Sequence, residues 1–191
     1  MLNSFPLLFE LWNFIKNPVY IEDQNTDTSY RVKILMGLVG IGLAISIALG
    51  LVGGVVETIF SLDLGEHAVQ AALEKNSPWY LFLLAVIIAP IFEELFFRGP
   101  MVFFREKTYF KYIFYTLTIL FGFIHISNFE ISNTVILLSP ILVAPQIGVG
   151  VIFGFIRIRF GLFWTILCHA LFNLILMGPV LILRLLDLPL E

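Results

Sequence analysis

The sequence predicts an all-α, polytopic transmembrane helix bundle of about five spans, preceded by an N-terminal interfacial helix. Three observations carry that reading. Of the 191 residues, 59% are hydrophobic and 13% charged, with a mean hydropathy of +0.97; soluble domains run at about 45–50% apolar and about 25% charged. The apolar runs lack the strict alternation of outer-membrane strands, so helices must do the spanning. The basic residues cluster on one side of a five-span topology. The net charge of −3 makes no case for nucleic acid as a partner. A single cysteine, Cys168, excludes an internal disulfide framework and a thiolate metal cluster, and is expected to be a small apolar packing residue.

Residues 1–33 are expected to form an N-terminal interfacial and cytoplasmic segment, and residues 34–191 the transmembrane helical domain. From Met1 to Tyr20, Phe5, Leu7, Leu8, Phe9, Leu11, Trp12, Phe14 and Ile15 alternate with Glu10, Asn13 and Lys16. That stretch is too short and too interrupted to span, and suits an amphipathic helix lying in the interface. Glu10 and the lack of a basic region or small-residue cleavage site argue against a cleavable signal. Glu22–Ser29 is a polar connector. Ile34–Ile59 makes the first span, whose Gly37, Gly40, Gly50, Gly53 and Gly54 are expected at close helix contacts; Glu57 falls near its far interface. Ser61–Ser77 is a polar loop with room for a short helix, and its His67 looks incidental. Trp79 and Tyr80 mark an interface at the start of the second span, which runs to about Phe97. Pro90 should kink that helix or free carbonyls one turn before Glu93. The third span is Tyr112–Ile126, short unless it starts near Tyr109. The fourth is Thr134–Ile156, with Pro140, Pro145, Gly148 and a Gly150/Gly154 small-xxx-small pair. The fifth is Leu162–Leu186.

Nine of the eleven Lys and Arg residues then share one side. Lys16, Arg31 and Lys33 precede span one; Arg98, Arg105, Lys107 and Lys111 come after span two; Arg157 and Arg159 come after span four. Lys75 and Arg184 take the other side. The positive-inside rule places the N-terminus in the cytoplasm and the C-terminus outside. The compact length suggests a bacterial cell membrane.

Within the spans, few polar groups remain, and ionised groups inside a bilayer are functional candidates by default. Ala89–Gly99 carries Glu93, Glu94 and Arg98. Glu94 and Arg98 are four apart and can pair, while Glu93 lies about 100° round the helix and is free to face a cavity. Phe121 lies one turn before His125 and can wall its ring. His169 and Asn173 are four apart and can both donate to one acceptor. Counted along the helices at about 1.5 Å per residue, Glu93, His169 and Asn173 agree on depth. His125 comes out too deep. A lone intramembrane histidine is often only an interhelical hydrogen bond; two on separate spans with an acidic pair on a third point to chemistry.

Glu93-Glu94-x-x-x-Arg98, Phe121-x-x-x-His125 and His169-x-x-x-Asn173, in that order, resemble the three motifs of the CAAX protease and bacteriocin-processing (CPBP) family. That family includes the eukaryotic CAAX prenyl endopeptidase and bacterial proteins once grouped as abortive-infection proteins. The resemblance runs over about residues 78–179, with Gly150, Gly154, Gly161 and Trp164 in familiar places. It implies an intramembrane endopeptidase in which Glu93 activates water as general base, His125 helps hold that water, and His169 and Asn173 donate to the oxyanion. Glu94, Arg98 and Phe121 would be structural or orienting.

The residue types agree with such chemistry. Desolvation makes a carboxylate a stronger base, and donors aimed at developing charge gain most in a dry site. No GxSxG is present, and Cys168 is adjacent to His169 rather than facing it, which argues against a covalent nucleophile. Glu93, His125 and His169 also match the ligand types of a catalytic zinc, without the compact HExxH spacing, so a divalent metal stays open beside glutamate-activated water. The alternatives are a non-catalytic membrane scaffold or bacteriocin-immunity protein, and a small proton-coupled transporter, for which no inverted pair of broken segments is visible. Membrane lipid and a peptide or lipidated protein are the expected partners: a prenylated CAAX tail, a bacteriocin leader, or another membrane-proximal peptide.

Overall fold

Every backbone polar group in hydrocarbon must be satisfied inside the protein, and this chain meets most of that demand with helices. The computed structural model describes residues 4–65 and 67–186. The helices are α1 (Ser4–Lys16), α2 (Thr28–Ile59), α3 (Ala68–Lys75), α4 (Pro78–Phe82), α5 (Ala89–Phe97), α6 (Phe110–Ile124), α7 (Asn133–Leu142), α8 (Ala144–Phe160) and α9 (Leu162–Leu185). A π-helical turn, Leu83–Ile88, joins α4 to α5, and 3₁₀ turns extend α5 (Gly99–Phe104) and α6 (His125–Asn128). Among the described residues there is no strand. Five segments are long and apolar enough to cross a membrane: residues 28–59, 78–104, 110–128, 133–160 and 162–185. The chain is an all-α polytopic membrane protein.

Helix starts are set by their capping residues. The Asp27 carboxylate accepts from the Ser29 and Tyr30 amides and starts α2 six residues before the apolar run does. His67 accepts from Val69 N–H through Nδ1 and starts the short helix for which the loop left room. Ser77 accepts from Tyr80 N–H, with Pro78 in the first turn of α4, where its missing N–H is not needed.

α8 forms the axis of the bundle and packs against α2, α6 and α9. From Val149 to Phe160 nearly all of it is buried, including Ile152, Phe153, Ile156 and Ile158. The Gly150/Gly154 pair makes that packing close. A Cβ on Gly150 would lie 2.9 Å from Phe121 and 3.1 Å from Arg98, and one on Gly154 would lie 2.5 Å from Phe114. Gly161, at φ +89°, reverses the chain into α9 through backbone that side chains disfavour.

Four expectations from sequence change in the fold. The fourth span divides at Val143, where Pro145 falls at the start of α8. Gly40, Gly50, Gly53 and Gly54 have nothing within 4 Å of a built Cβ; of the five glycines expected at contacts, Gly37 alone meets a neighbour, Leu7. These four lie on the outward face of α2, while Gly42, Ile45 and Leu49 on its other face meet α8. α1 is more than a surface helix: Leu7 and Leu11 enter the core with α2 and α8, while Phe9 and Trp12 stay outward. Finally, Arg98 is fully buried and is not a loop cation. Its span continues through Phe104, which adds roughly 12 Å at ~2 Å per 3₁₀ residue. Glu93 then lies about 19 Å from the span end, against about 22 Å for His125 counted from Phe110. Moving the span end brings Glu93 and His125 to a common depth along their helices, but leaves His169, about 10 Å from Leu162, shallower by this count.

The segment between α1 and α2 covers the α8–α9 turn. Asp23 N–H donates to the Arg159 carbonyl, and the Arg159 guanidinium binds both Glu10 and Asp23 at 2.6 Å. Tyr30 completes the clamp by donating to Asp23. Burial works to raise the Asp23 pKa, but the Asn25 amide, Arg159 and Tyr30 bind the carboxylate form and hold it below the usual aspartate value.

Candidate active site

The polar residues of spans two, three and five converge beside α8. α5 presents Glu93 and Glu94 on different faces, as a 100° step requires. Glu94 is fully buried, and its Oε1 lies 3.4 Å from Arg98 Nη1, one turn along, and 2.8 Å from His169 Nδ1 on α9. Arg98 also donates to the Gly150 carbonyl at 3.0 Å and lies over the Phe121 ring, 3.9 Å from its centroid. The absence of a Cβ at Gly150 is what admits both groups. Arg157, itself buried, donates to the Arg98 carbonyl and to the Tyr20 hydroxyl. The guanidinium of Arg98 is thus an internal brace between α5 and α8 rather than a surface charge.

His125, at the end of α6, donates from Nδ1 to the Phe121 carbonyl at 2.8 Å, because a carbonyl can only accept. Its ring meets the Phe121 ring edge at 5.1 Å. The Glu94 carboxylate likewise accepts, so His169 donates from Nδ1, and Phe153 stacks on its ring at 4.4 Å and 22°. Both tautomers leave Nε2 facing Glu93. Glu93 Oε2 is 3.9 Å from His125 Nε2 and 3.8 Å from His169 Nε2. These separations exceed a direct hydrogen bond. Glu93 Oε2 is buried and, among the described residues, has no hydrogen-bond partner, and the same holds for Glu94 Oε2 and Arg98 Nε. Glu93 and His125 keep 27% and 20% of their side-chain surface, against 5% for His169, so the site is open on the Glu93–His125 side.

Asn173 does not share an acceptor with His169, as its spacing suggested. Its amide donates to the Ala85 carbonyl at 2.8 Å. The reason lies in the π turn: Ala89 N–H reaches back to Leu84 O, and Pro90, next in that register, has no N–H to give Ala85. Asn173 supplies the donor that proline removed.

Sequence reasoning missed Phe153, Arg157, Tyr20 and the π turn. Only Pro90 signalled any of them, by leaving a carbonyl to be satisfied elsewhere. Cys168 is buried beside this region as an apolar packing residue. His67 lies elsewhere, against Phe129, where burial lowers its pKa.

Glu93, His125 and His169 are suitable metal-ligand types, with both Nε2 atoms facing inward. Among the described residues, though, no group of three or more His, Cys, Asp or Glu side chains is placed to hold a metal ion.

Residues 75–175, just over half of the chain, match the family described as type II CAAX prenyl endopeptidase Rce1-like. No curated protein and no solved structure matched the chain.

Proposed function

The chain belongs to the type II CAAX prenyl endopeptidase Rce1-like family, a family of CAAX-type intramembrane proteases, and on that premise we propose that it hydrolyses peptide bonds by glutamate-activated water. The observation that carries the reading is the buried, unpartnered Glu93 Oε2, faced at 3.8–3.9 Å by two imidazole nitrogens. A carboxylate and two neutral Nε2 atoms are all acceptors. Such a set is completed by a molecule that donates, and water has two protons to give.

In the proposed reaction Glu93 takes a proton from that water as its oxygen attacks the scissile carbonyl carbon. His125, fixed by its bond to Phe121 O, helps hold the water. As substrate binds, His169 takes up a proton from solvent at Nε2, donates a hydrogen bond from it to the oxyanion and gives the proton back to solvent as the products leave, while Glu94 balances the charge through Nδ1. As the C–N bond breaks, Glu93 returns the proton to the leaving amine. Arg98 and Phe121 orient Glu94 and His125. Asn173 holds the π turn that aims α5. No step is routed through a metal.

The substrate class we propose is a membrane-associated peptide: a lipidated CAAX-type tail or a leader peptide. The N-terminus is assigned to the cytoplasm, in a bacterial membrane. The discriminating experiment is cleavage of quenched-fluorescent peptides, prenylated and not, by the purified chain and by Glu93→Gln and His125→Ala. Loss of cleavage by well-folded variants is expected. A Glu93→Gln protein that still cleaves would overturn glutamate-activated water, whereas full activity after stringent chelation supports metal-free hydrolysis and loss restored by zinc overturns it.

A further inference from the structure

At the boundary where the second span ends and the third begins, a pocket of about 230 Å³ opens between the strap after α1 and the α5–α6 connection. Asn17 and Tyr20 line one side, and Arg105, Lys107, Thr108 and Lys111 the other. Among the described residues no carboxylate lines it, Arg105 is countered only by exposed Glu106 at 3.5 Å, and Lys107 and Lys111 form no ion pair. Tyr20 Oη accepts from Arg157 at 3.0 Å, so its own proton is left to donate, with the guanidinium polarising the phenol from behind. The Tyr20 ring is held edge-on to Phe110 at 5.5 Å, and Tyr115 ties α6 to α1 through the Ile15 carbonyl. Both walls of the pocket are therefore anchored. Beside it, Phe103, Tyr109 and Tyr112 are exposed at 77%, 46% and 62%.

We propose that this pocket binds the phosphate of an anionic phospholipid, with the headgroup among Tyr20, Lys107 and Lys111 and the acyl chains along Phe103 and Tyr112. Three cations and two hydroxyls suit a phosphodiester, and basic pockets at span ends on the positive side of a membrane protein suit anionic headgroups. A lipid phosphate arrives with chains that need an apolar surface, which the three exposed rings supply; free phosphate would make no use of them. The bound lipid would link the N-terminal strap to the connection that leads from Arg98 to α6, outside the proposed catalytic residues.

The test uses the full chain in detergent and displacement of a fluorescent phosphatidylglycerol. Saturable binding of one phosphatidylglycerol per chain is expected, with phosphatidylcholine and inorganic phosphate competing poorly. Each of Lys107→Ala and Lys111→Ala should weaken binding about fivefold; both lysines reach the surface, so folding is retained and can be checked by gel filtration. Lys16→Ala with Lys33→Ala, removing charge elsewhere on the same face, should leave binding within about twofold. Phosphatidylcholine binding equally well would reduce the site to acyl adsorption. Phosphate competing as well as the lipid would make it a small-anion site. A loss from Lys16→Ala with Lys33→Ala as large as that from Lys107→Ala or Lys111→Ala would reduce it to diffuse surface attraction. Any of the three overturns the proposal.

Discussion

Replacing Asn173 by Leu, which has the same number of side-chain heavy atoms branched at Cγ, removes the amide that donates to Ala85 O at 2.8 Å. With Ala89 N–H committed to Leu84 and residue 90 a proline, the helix offers that carbonyl no replacement from either position. An interhelical hydrogen bond in a membrane is worth about 0.6–1.7 kcal/mol, and a buried group left unpartnered costs about 1–3 kcal/mol. A loss of about 1–3 kcal/mol in stability is therefore expected. Glu93 lies one turn after Pro90, and a displacement of about 1 Å at a reacting group can lower a rate about 100-fold, so peptide cleavage should fall further than stability does. The compensating change is Pro90→Ala, which returns an N–H in the register that faces Ala85 O. Asn173→Leu with Pro90→Ala should recover most of the thermal stability in detergent and most of the cleavage of a quenched-fluorescent peptide. Asn173→Leu inactive at unchanged stability, with no rescue by Pro90→Ala, would refute the reasoning and place the amide on the substrate instead.

Arg98→Met leaves Glu94 buried without its cation and should destabilise by about 3–5 kcal/mol; Arg98→Lys should rescue only partly, because an ammonium cannot bind Glu94 and the Gly150 carbonyl while lying flat over Phe121, and chemical denaturation in detergent measures both. Gly154→Ala drives a Cβ to 2.5 Å from Phe114 and should cost about 1–3 kcal/mol of overpacking, whereas Gly50→Ala, with nothing within 4 Å, should be neutral or stabilising by up to about 1 kcal/mol in the same assay. The Asp23 carboxyl sits below its ordinary value of 3.8, so the stability it confers is complete above that value and is lost as pH falls through the lower folded one; thermal unfolding monitored into acid should show Asp23→Asn losing part of that dependence, and an unchanged profile would remove Asp23 from the clamp.

Local periodicity and composition were enough for the helices and for the pairs within them. An apolar run must be helical in hydrocarbon, so five spans were legible. Residues four apart share a helix face, so the pairing of Glu94 with Arg98 and the packing of Phe121 against His125 were legible too. The scarcity of polar groups in the spans also singled out Glu93, His125 and His169, and the fold brings both imidazoles within 4 Å of the Glu93 carboxylate. Tertiary structure decided the rest, because rotation and depth of one helix against another are set by packing far away in the chain. Arg98 looked like a loop cation until α8, 52 residues on, offered it the carbonyl at Gly150. Asn173 looked like a partner of His169 until the π turn exposed a carbonyl 88 residues earlier. The glycines of α2 looked like contacts, yet four of them face open space. A spacing states which residues can lie side by side on one helix; which neighbour each side chain meets depends on surfaces that exist only once the bundle has closed.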